Sequence, residues 1–138
     1  MLKHKTNIRV RYADTDQMQY AYNGKYFEYF EVGRTEMMRE LDLPYKTIEA
    51  NGYIMPVHSV HIQYKNPAFY DEELEIETRV EKLPELKVHI EHTVKCVERD
   101  IVICEGYVEL VFLKKATMKI SRPPEFFMEV IKPFYEKE

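Results

Sequence analysis

The chain has 138 residues, of which 45% are hydrophobic and 32% are charged, and its formal net charge is −4 at pH 7. This composition is typical of a soluble globular protein, and the acidic balance argues against nucleic acid as a partner. No apolar run is long enough to span a membrane, and the first residues lack the apolar stretch of a signal peptide. We therefore expect a single domain over residues 1–138, located in the cytoplasm.

An alternating segment begins the predicted fold. Residues 6–12 place Ile8, Val10 and Tyr12 on one side and polar side chains on the other. This period of two predicts a short, half-buried strand.

A long amphipathic helix is predicted from about Asn23 to Leu41. Its apolar stripe has helical spacing and consists of Tyr26, Phe30, Gly33, Met37 and Leu41, with Phe27 and Met38 beside it. Asn23 is a preferred N-cap residue, and Pro44 disfavours further helix. Because glycine weakens a helix, Gly33 within the stripe indicates that another element packs very closely there. Residues 45–50 predict one or two further helical turns.

Four strands and a short helix complete the pattern. The strands are predicted at residues 53–64, 74–80, 88–96 and 102–112, and Pro56 places the first of them at a sheet edge. The helix follows Pro123 and Pro124 and carries Phe127, Val130, Ile131 and Phe134 at helical spacing. The order predicts an α+β fold in which the long helix packs against a five-stranded antiparallel sheet.

The last two strands both place even-numbered residues inward. This shared parity favours a three-residue loop at residues 99–101, or a bulge, over a two-residue turn, and it predicts that Cys96 lies opposite Cys104. Two cysteines are too few for a disulfide framework and fit no zinc motif, so we expect both to be reduced.

Two carboxylates, Asp14 and Asp16, precede the long helix. A helix start presents unpaired backbone N–H groups and a partial positive charge, so a carboxylate beside it can attack a substrate or activate water. The pair alone leaves two other interpretations open. Either side chain can form an Asx turn or cap the helix, and an Asp-x-Asp motif can bind a metal, although metals need more oxygen ligands than these.

The segment from Asp14-Thr15-Asp16 through Asn23 to Tyr26-Phe27-Glu28-Tyr29-Phe30-Glu31 resembles the hot-dog thioesterases. It is most similar to the 4-hydroxybenzoyl-CoA thioesterase branch, which includes the acyl-CoA thioesterases associated with the Tol–Pal system. The later segment Val60–Asp71 is similar to the strand and Pro-Ala turn of that family.

The resemblance implies a curved sheet wrapped around the long helix, and a homodimer, often paired into a tetramer, with active sites between the subunits. It implies that Asp16 is catalytic, that the backbone N–H of Asn23 contacts the oxyanion, and that no metal or redox cofactor is used. The chain departs from the family at Asn23, where many members have histidine, and at Met18 and Gln19, where they have glycine. A mechanism that needs the histidine is therefore in doubt, whereas a backbone N–H survives the change.

Further residues are candidates for substrate binding. Gly24 has no side chain to obstruct a substrate. The aromatic residues Tyr20, Tyr22, Tyr26 and Phe27 are candidates for lining an acyl pocket, although core packing is the simpler role for Tyr26 and Phe27 in the helical stripe. His58 has the parity assigned inward, although a hydrogen-bonded core histidine is the commoner role. A basic cluster of Lys114, Lys115, Lys119 and Arg122 is a candidate for binding the phosphates of CoA, with a solvated surface as the alternative.

The sequence thus favours hydrolysis of acyl-CoA to a free acid and CoA, with Asp16 as nucleophile or general base. Two alternatives stay open. One is the same reaction on an acyl carrier protein, which is acidic and would dock on the basic cluster. The other is an acyl-binding hot-dog protein without activity.

Overall fold

The computed structural model describes residues 1–136, in which a long helix packs against an antiparallel sheet. The sheet has five strands: β1 (Leu2–Arg9), β3 (Val57–Tyr64), β4 (Glu73–Val80), β5 (Val88–Cys96) and β6 (Ile101–Leu110). Their spatial order is β1-β4-β5-β6-β3. The long helix α1 (Lys25–Glu40) lies against β1, β4 and β5. The predicted α+β arrangement is confirmed.

Short elements close one end of this arrangement. They are α2 (Tyr45–Ala50), α3 (Glu125–Ile131) and a three-stranded sheet of β2 (Tyr53–Ile54), β7 (Phe112–Lys114) and β8 (Lys119–Ser121). The sequence did not predict β8 or the break before β7. No helix within residues 1–136 is both long enough and apolar enough to cross a membrane.

The buried face of α1 follows the predicted apolar stripe, except that Tyr29 is buried and Phe27 is not. Tyr26, Phe30, Gly33 and Met37 are buried, as expected, and Tyr29 joins them. The prediction for Phe27 is wrong, because its side chain is 43% exposed. At about 3.6 residues per turn, position 27 lies on the flank of the stripe and faces away from the sheet.

Gly33 is the point of closest approach between α1 and the sheet. A Cβ atom at this position would lie 2.6 Å from Thr78 Oγ1 on β4 and 2.7 Å from Ile76 Cγ2. The predicted close packing is therefore confirmed. Both neighbours are β-branched residues with restricted χ1 angles, so they cannot easily make room for a side chain.

His92 on β5 packs beside the same contact. Its ring is fully buried, stacks on Phe30 with centroids 4.5 Å apart, and its Nδ1 lies 3.1 Å from Thr78 Oγ1. Burial, together with the charges of Arg34 and Arg79, lowers the pKa of His92 to about 3. His92 is therefore a neutral core residue at physiological pH.

Three predictions at the sheet edges need correction. β1 ends at Arg9, and Tyr12 is 78% exposed because the chain turns into a 3-10 segment at Tyr12–Asp14. Asn23 does not cap α1, which starts at Lys25 after Gly24. His58 is exposed instead of facing inward, because the register of β3 shifts between Val57 and Ser59. The edge position of β3 itself is confirmed.

A β-bulge interrupts the pairing of β5 with β6. Parity predicted either a three-residue loop or a bulge, and the bulge is confirmed. Val94 pairs with Cys104 and Lys95 pairs with Val102, so Ile103 is the extra residue. Cys96 consequently lies opposite Ile101, and the predicted pairing of Cys96 with Cys104 is wrong. Both thiols are free and buried, as expected for packed small side chains.

We predict that Gly33→Ala lowers the free energy of unfolding by about 1–3 kcal/mol, because overpacking outweighs the gain in helix propensity. Urea denaturation measures the change. Arg39→Ala, at an exposed position on the same helix, is the matched control and should change stability by less than about 0.5 kcal/mol. A stability gain in Gly33→Ala would contradict the close contact.

Candidate active site

The loop before α1 is anchored by the buried side chain of Asp14, which is 2% exposed. Its Oδ2 accepts hydrogen bonds from the Arg11 backbone N–H at 3.0 Å and the Tyr29 hydroxyl at 3.0 Å, and its Oδ1 lies 3.2 Å from the Arg11 guanidinium. The Lys25 ammonium group is 3.8 Å away. These contacts confirm the expectation that Asp14 hydrogen-bonds within the loop and fixes its shape.

The pKa values of Asp14 and Tyr29 follow from burial and hydrogen bonding. Burial alone would raise the pKa of Asp14, but the hydrogen bonds from Arg11 and Tyr29 outweigh it and hold this pKa below the usual value. Burial and the neighbouring Asp14 carboxylate both raise the pKa of Tyr29. Asp14 is therefore an anion and Tyr29 a neutral donor at physiological pH.

Asp16 has the opposite environment, because its side chain is exposed. Its Oδ1 accepts the Met18 N–H at 2.8 Å, and its backbone N–H and carbonyl bond to Tyr20 and Gln19. This is the geometry of an Asx turn. Within residues 1–136 no donor is bound to Oδ2, so the turn occupies one carboxylate oxygen and leaves the other available.

A second loop supports the first. The Ala21 N–H donates to the Ala68 carbonyl at 2.8 Å, and Tyr20 forms a β-bridge with Phe69. An ion pair holds this second loop in place, since Arg99 Nε lies 2.6 Å from Glu72 Oε2. The sequence analysis missed this pair, because its members are separated by 27 residues and belong to no local motif.

The start of α1 leaves backbone donors free. Within the described residues the N–H groups of Asn23 and Gly24 donate no hydrogen bond, while the Asn23 carbonyl accepts the Tyr64 hydroxyl at 3.3 Å. A Cβ atom at Gly24 would lie 2.7 Å from the ring of Tyr22, so this exposed side chain would have to move to make room. Such free N–H groups at a helix start can stabilise a negatively charged oxygen.

A cleft of about 280 Å³ opens beside this helix start. It is lined by Tyr20, Asn23, Tyr26, Tyr64, Lys65, Asn66 and Pro67. Tyr26 thus serves both the core and the cleft wall, and burial raises its pKa to about 12. Tyr64 lies at the end of the edge strand β3 and was not predicted as a site residue. The signal available in the sequence was its position at the end of the predicted strand, just before Asn66-Pro67.

The other predicted site residues lie elsewhere. Tyr22 is 58% exposed and flanks the helix start, and Phe27 is exposed on α1. Among the residues that the structure describes, the cleft wall includes neither His58 nor the three lysines predicted to bind CoA phosphates. Lys114, Lys115 and Lys119 are exposed near the turn between β7 and β8, where Lys114 pairs with Lys119.

One cluster has the donor types of a metal site, namely Glu72, Cys96 and Glu98. Each of its carboxylates already has a partner, since Glu72 pairs with Arg99 and Glu98 accepts the Glu73 N–H at 3.0 Å. Burial raises the pKa of the Cys96 thiol, which therefore stays protonated. The cluster is explained as support for the second loop.

Comparison with known proteins shows the family. The thioesterase-like superfamily matches residues 10–131. YneP of Bacillus subtilis, which carries a provisional assignment as an acyl-CoA thioesterase, is 40% identical over 77 residues, 56% of each chain. The acyl-CoA thioesterase YbgC of Haemophilus influenzae is 27% identical over 129 residues, or 93% of this chain and 91% of that one.

The match to YneP thus spans little more than half of that relative. Among solved structures, a DHNA-CoA thioesterase from Staphylococcus aureus superposes with a TM-score of 0.88 and 31% identity, covering 97% of this chain and 89% of the other. The hypothetical protein TT1821 from Thermus thermophilus gives a TM-score of 0.87 and 27% identity, with 95% and 98% covered. The chain therefore belongs to the thioesterase-like superfamily and has its hot-dog fold.

Proposed function

We propose that this protein hydrolyses acyl-CoA thioesters to a free acid and CoA. The observation that carries the proposal is an exposed carboxylate, Asp16, in the loop that leads into α1, together with the N–H groups of Asn23 and Gly24 at the helix start, which donate no hydrogen bond within residues 1–136. The relatives support the substrate class, because YneP and YbgC are named for acyl-CoA and the S. aureus structure for DHNA-CoA.

Hydrolysis of a thioester requires few catalytic groups. Its leaving group is a thiolate, whose conjugate acid has a pKa of about 8.5, so no strong general acid is required. Asp16 either attacks the carbonyl carbon, forming a mixed anhydride that water then cleaves, or takes a proton from an attacking water. In both routes the carbon–sulfur bond breaks and CoA leaves as a thiolate. The proton taken from water passes to this thiolate or to solvent, which leaves Asp16 as a carboxylate again.

The Asn23 N–H is our proposed oxyanion donor. A positioned donor of this kind contributes about 3 kcal/mol in other enzymes. The Tyr64 hydroxyl donates to the Asn23 carbonyl, which belongs to the next peptide unit, the one that carries the Gly24 N–H. We assign Tyr22, Gly24 and Tyr26 to the substrate-binding surface around the donor.

We further propose a homodimer that joins two β3 edges. β3 is an outer strand, and Val57, Val60 and Tyr64 on it are 40–49% exposed. An exposed strand edge with apolar side chains favours pairing with another strand. Because Tyr64 also contacts Asn23, such a pairing would bring the partner subunit to the cleft.

The 4-hydroxybenzoyl-CoA and Tol–Pal branch is our proposed placement within the superfamily. Support comes from the YbgC match over nearly the whole chain and from the DHNA-CoA thioesterase, whose substrate name denotes an aryl thioester. Acyl and aryl esters therefore both belong in an activity assay.

The first test measures thiol release from short, medium, long and aryl acyl-CoAs by the wild type and Asp16→Asn. We expect turnover of at least one ester and a loss of kcat of about a hundredfold in the variant. Asp42→Asn, which removes the same charge at the other end of α1, is the matched control and should keep full activity. Equal rates in the wild type and Asp16→Asn would overturn the role of Asp16, and turnover of acyl carrier protein esters alone would replace the substrate class.

A second test separates the backbone of Asn23 from its side chain. Asn23→Ala keeps the N–H and should stay within a few-fold of the wild-type kcat, whereas Asn23→Pro removes it and should lose about a hundredfold. Thermal unfolding of both variants checks that they are folded. A large loss in folded Asn23→Ala would show that the side chain acts instead.

A third test concerns the basic cluster, which we propose contacts the phosphates of CoA. The double charge reversal Lys115→Glu and Lys119→Glu should raise KM for acyl-CoA by about tenfold and leave kcat nearly unchanged. The control is the same reversal at the exposed Lys46 and Lys82. An unchanged KM in the first double variant would remove the cluster from the binding site.

A further inference from the structure

A second cavity, of about 370 Å³, lies between the later part of α1, the inner face of the sheet and α3. Its apolar wall includes Met37, Met38, Val88, Ile90, Phe127 and Ile131. None of the residues that line this cavity lines the cleft beside Asn23. The volume falls in the range of about 300–1,000 Å³ that is usual for small-molecule sites.

Arg34 is the cation in the wall of this cavity. Its side chain is half-buried, and within residues 1–136 it has no hydrogen bond and no ion pair. Burial lowers the pKa of the Arg34 guanidinium, and the exposed Glu31 opposes this from beyond ion-pair distance. An anionic partner would offset the loss of hydration, because removing a charge from water is costly without one.

The electrostatics around Arg34 favour an anion. The nearby His92 is neutral, and the charges of Arg34 and Arg79 both lower its pKa. The opposing charge at the cavity is Glu31, whose side chain is exposed to solvent and therefore screened. An anion entering the cavity would find a guanidinium with its five N–H donors unused.

The walls restrict what such an anion can be. Among residues 1–136, apolar side chains from α1, the sheet and α3 surround one cationic group, which matches a ligand with one charged end and an apolar body. A guanidinium binds a carboxylate through two parallel hydrogen bonds. We propose that this cavity binds a medium-chain fatty acid, with its carboxylate on Arg34 and its alkyl chain between α1, the sheet and α3.

The inference does not rest on the proposed hydrolysis, since it involves neither Asp16 nor the helix start. If both hold, a free acid released at the cleft belongs to the class of ligand that the cavity accepts. The protein would then bind such an acid in the Arg34 cavity, which is separate from the cleft where the acid forms.

Isothermal titration calorimetry with decanoate, below its micelle concentration and without any CoA ester, tests the proposal. The wild type and Asp16→Asn should bind decanoate equally. Arg34→Gln should weaken the affinity at least about tenfold, the effect of losing a charge-assisted hydrogen bond. Arg39→Gln removes the same charge from an exposed position on α1 and should bind like the wild type. Decanol, which has the chain without the carboxylate, should bind equally weakly to the wild type and Arg34→Gln.

Thermal unfolding adds a readout that a purely structural Arg34 would not give. Without ligand, Arg34→Gln should unfold at the same temperature as the wild type or higher, because it removes an unpaired charge. Decanoate should raise the unfolding temperature of the wild type in a concentration-dependent way and leave that of the variant unchanged.

Three results would overturn the proposal. The first is equal decanoate affinity in the wild type and Arg34→Gln. The second is that Arg39→Gln weakens decanoate binding as much as Arg34→Gln does. The third is that decanoate binds neither the wild type nor Arg34→Gln, while Arg34→Gln dissociates into smaller species. The last result would assign Arg34 to contact with a second copy of the chain. Because activity is not measured, none of these outcomes depends on whether the protein hydrolyses acyl-CoA.

Discussion

The buried carboxylate of Asp14 is the constraint on which the candidate site depends. A buried charge requires hydrogen bonds, and Asp14 takes them from Arg11, just after β1, and from Tyr29, one turn into α1. The chain between these residues is thereby tied to both the sheet and the helix. Asp16, two residues later, needs none of these partners and remains exposed. One motif thus contains a buried, hydrogen-bonded carboxylate and an exposed one, and their environments distinguish them.

The helix α1 performs different tasks along its length. Its start leaves N–H groups free beside the cleft, and its middle approaches the sheet closely enough that only glycine fits at position 33. The next residue, Arg34, has no ion pair with any other residue between 1 and 136 and lies in the wall of an apolar cavity. The cleft and the cavity are lined by different residues among those that the structure describes.

Much of this could be predicted from the sequence, because hydrophobic periodicity reports burial. The stripe of α1, the alternation of β4 and β5 and the proline near the start of β3 gave the helix, the sheet and its edge. Contacts between distant residues could not be read in this way. The bond from Tyr29 to Asp14 and the pair of Arg99 with Glu72 depend on how elements meet, and the bulge at Ile103 shifted the register that parity alone assigned to the cysteines. For the site, the Asp-x-Asp motif drew attention to the loop before α1, whereas the contact of Tyr64 with Asn23 and the cavity at Arg34 were recognisable only in three dimensions.

The measurement that tests this account most directly compares Asp14→Asn with Asp16→Asn in the same thermal unfolding and thiol-release assays. The account predicts that Asp14→Asn loses about 1–3 kcal/mol of stability, because its buried donors lose a charged acceptor. It predicts that Asp16→Asn stays within about 0.5 kcal/mol of the wild type and loses nearly all activity. If Asp16→Asn unfolds as easily as Asp14→Asn, or if a stable Asp16→Asn retains full thiol release, the division of roles between the two carboxylates is wrong.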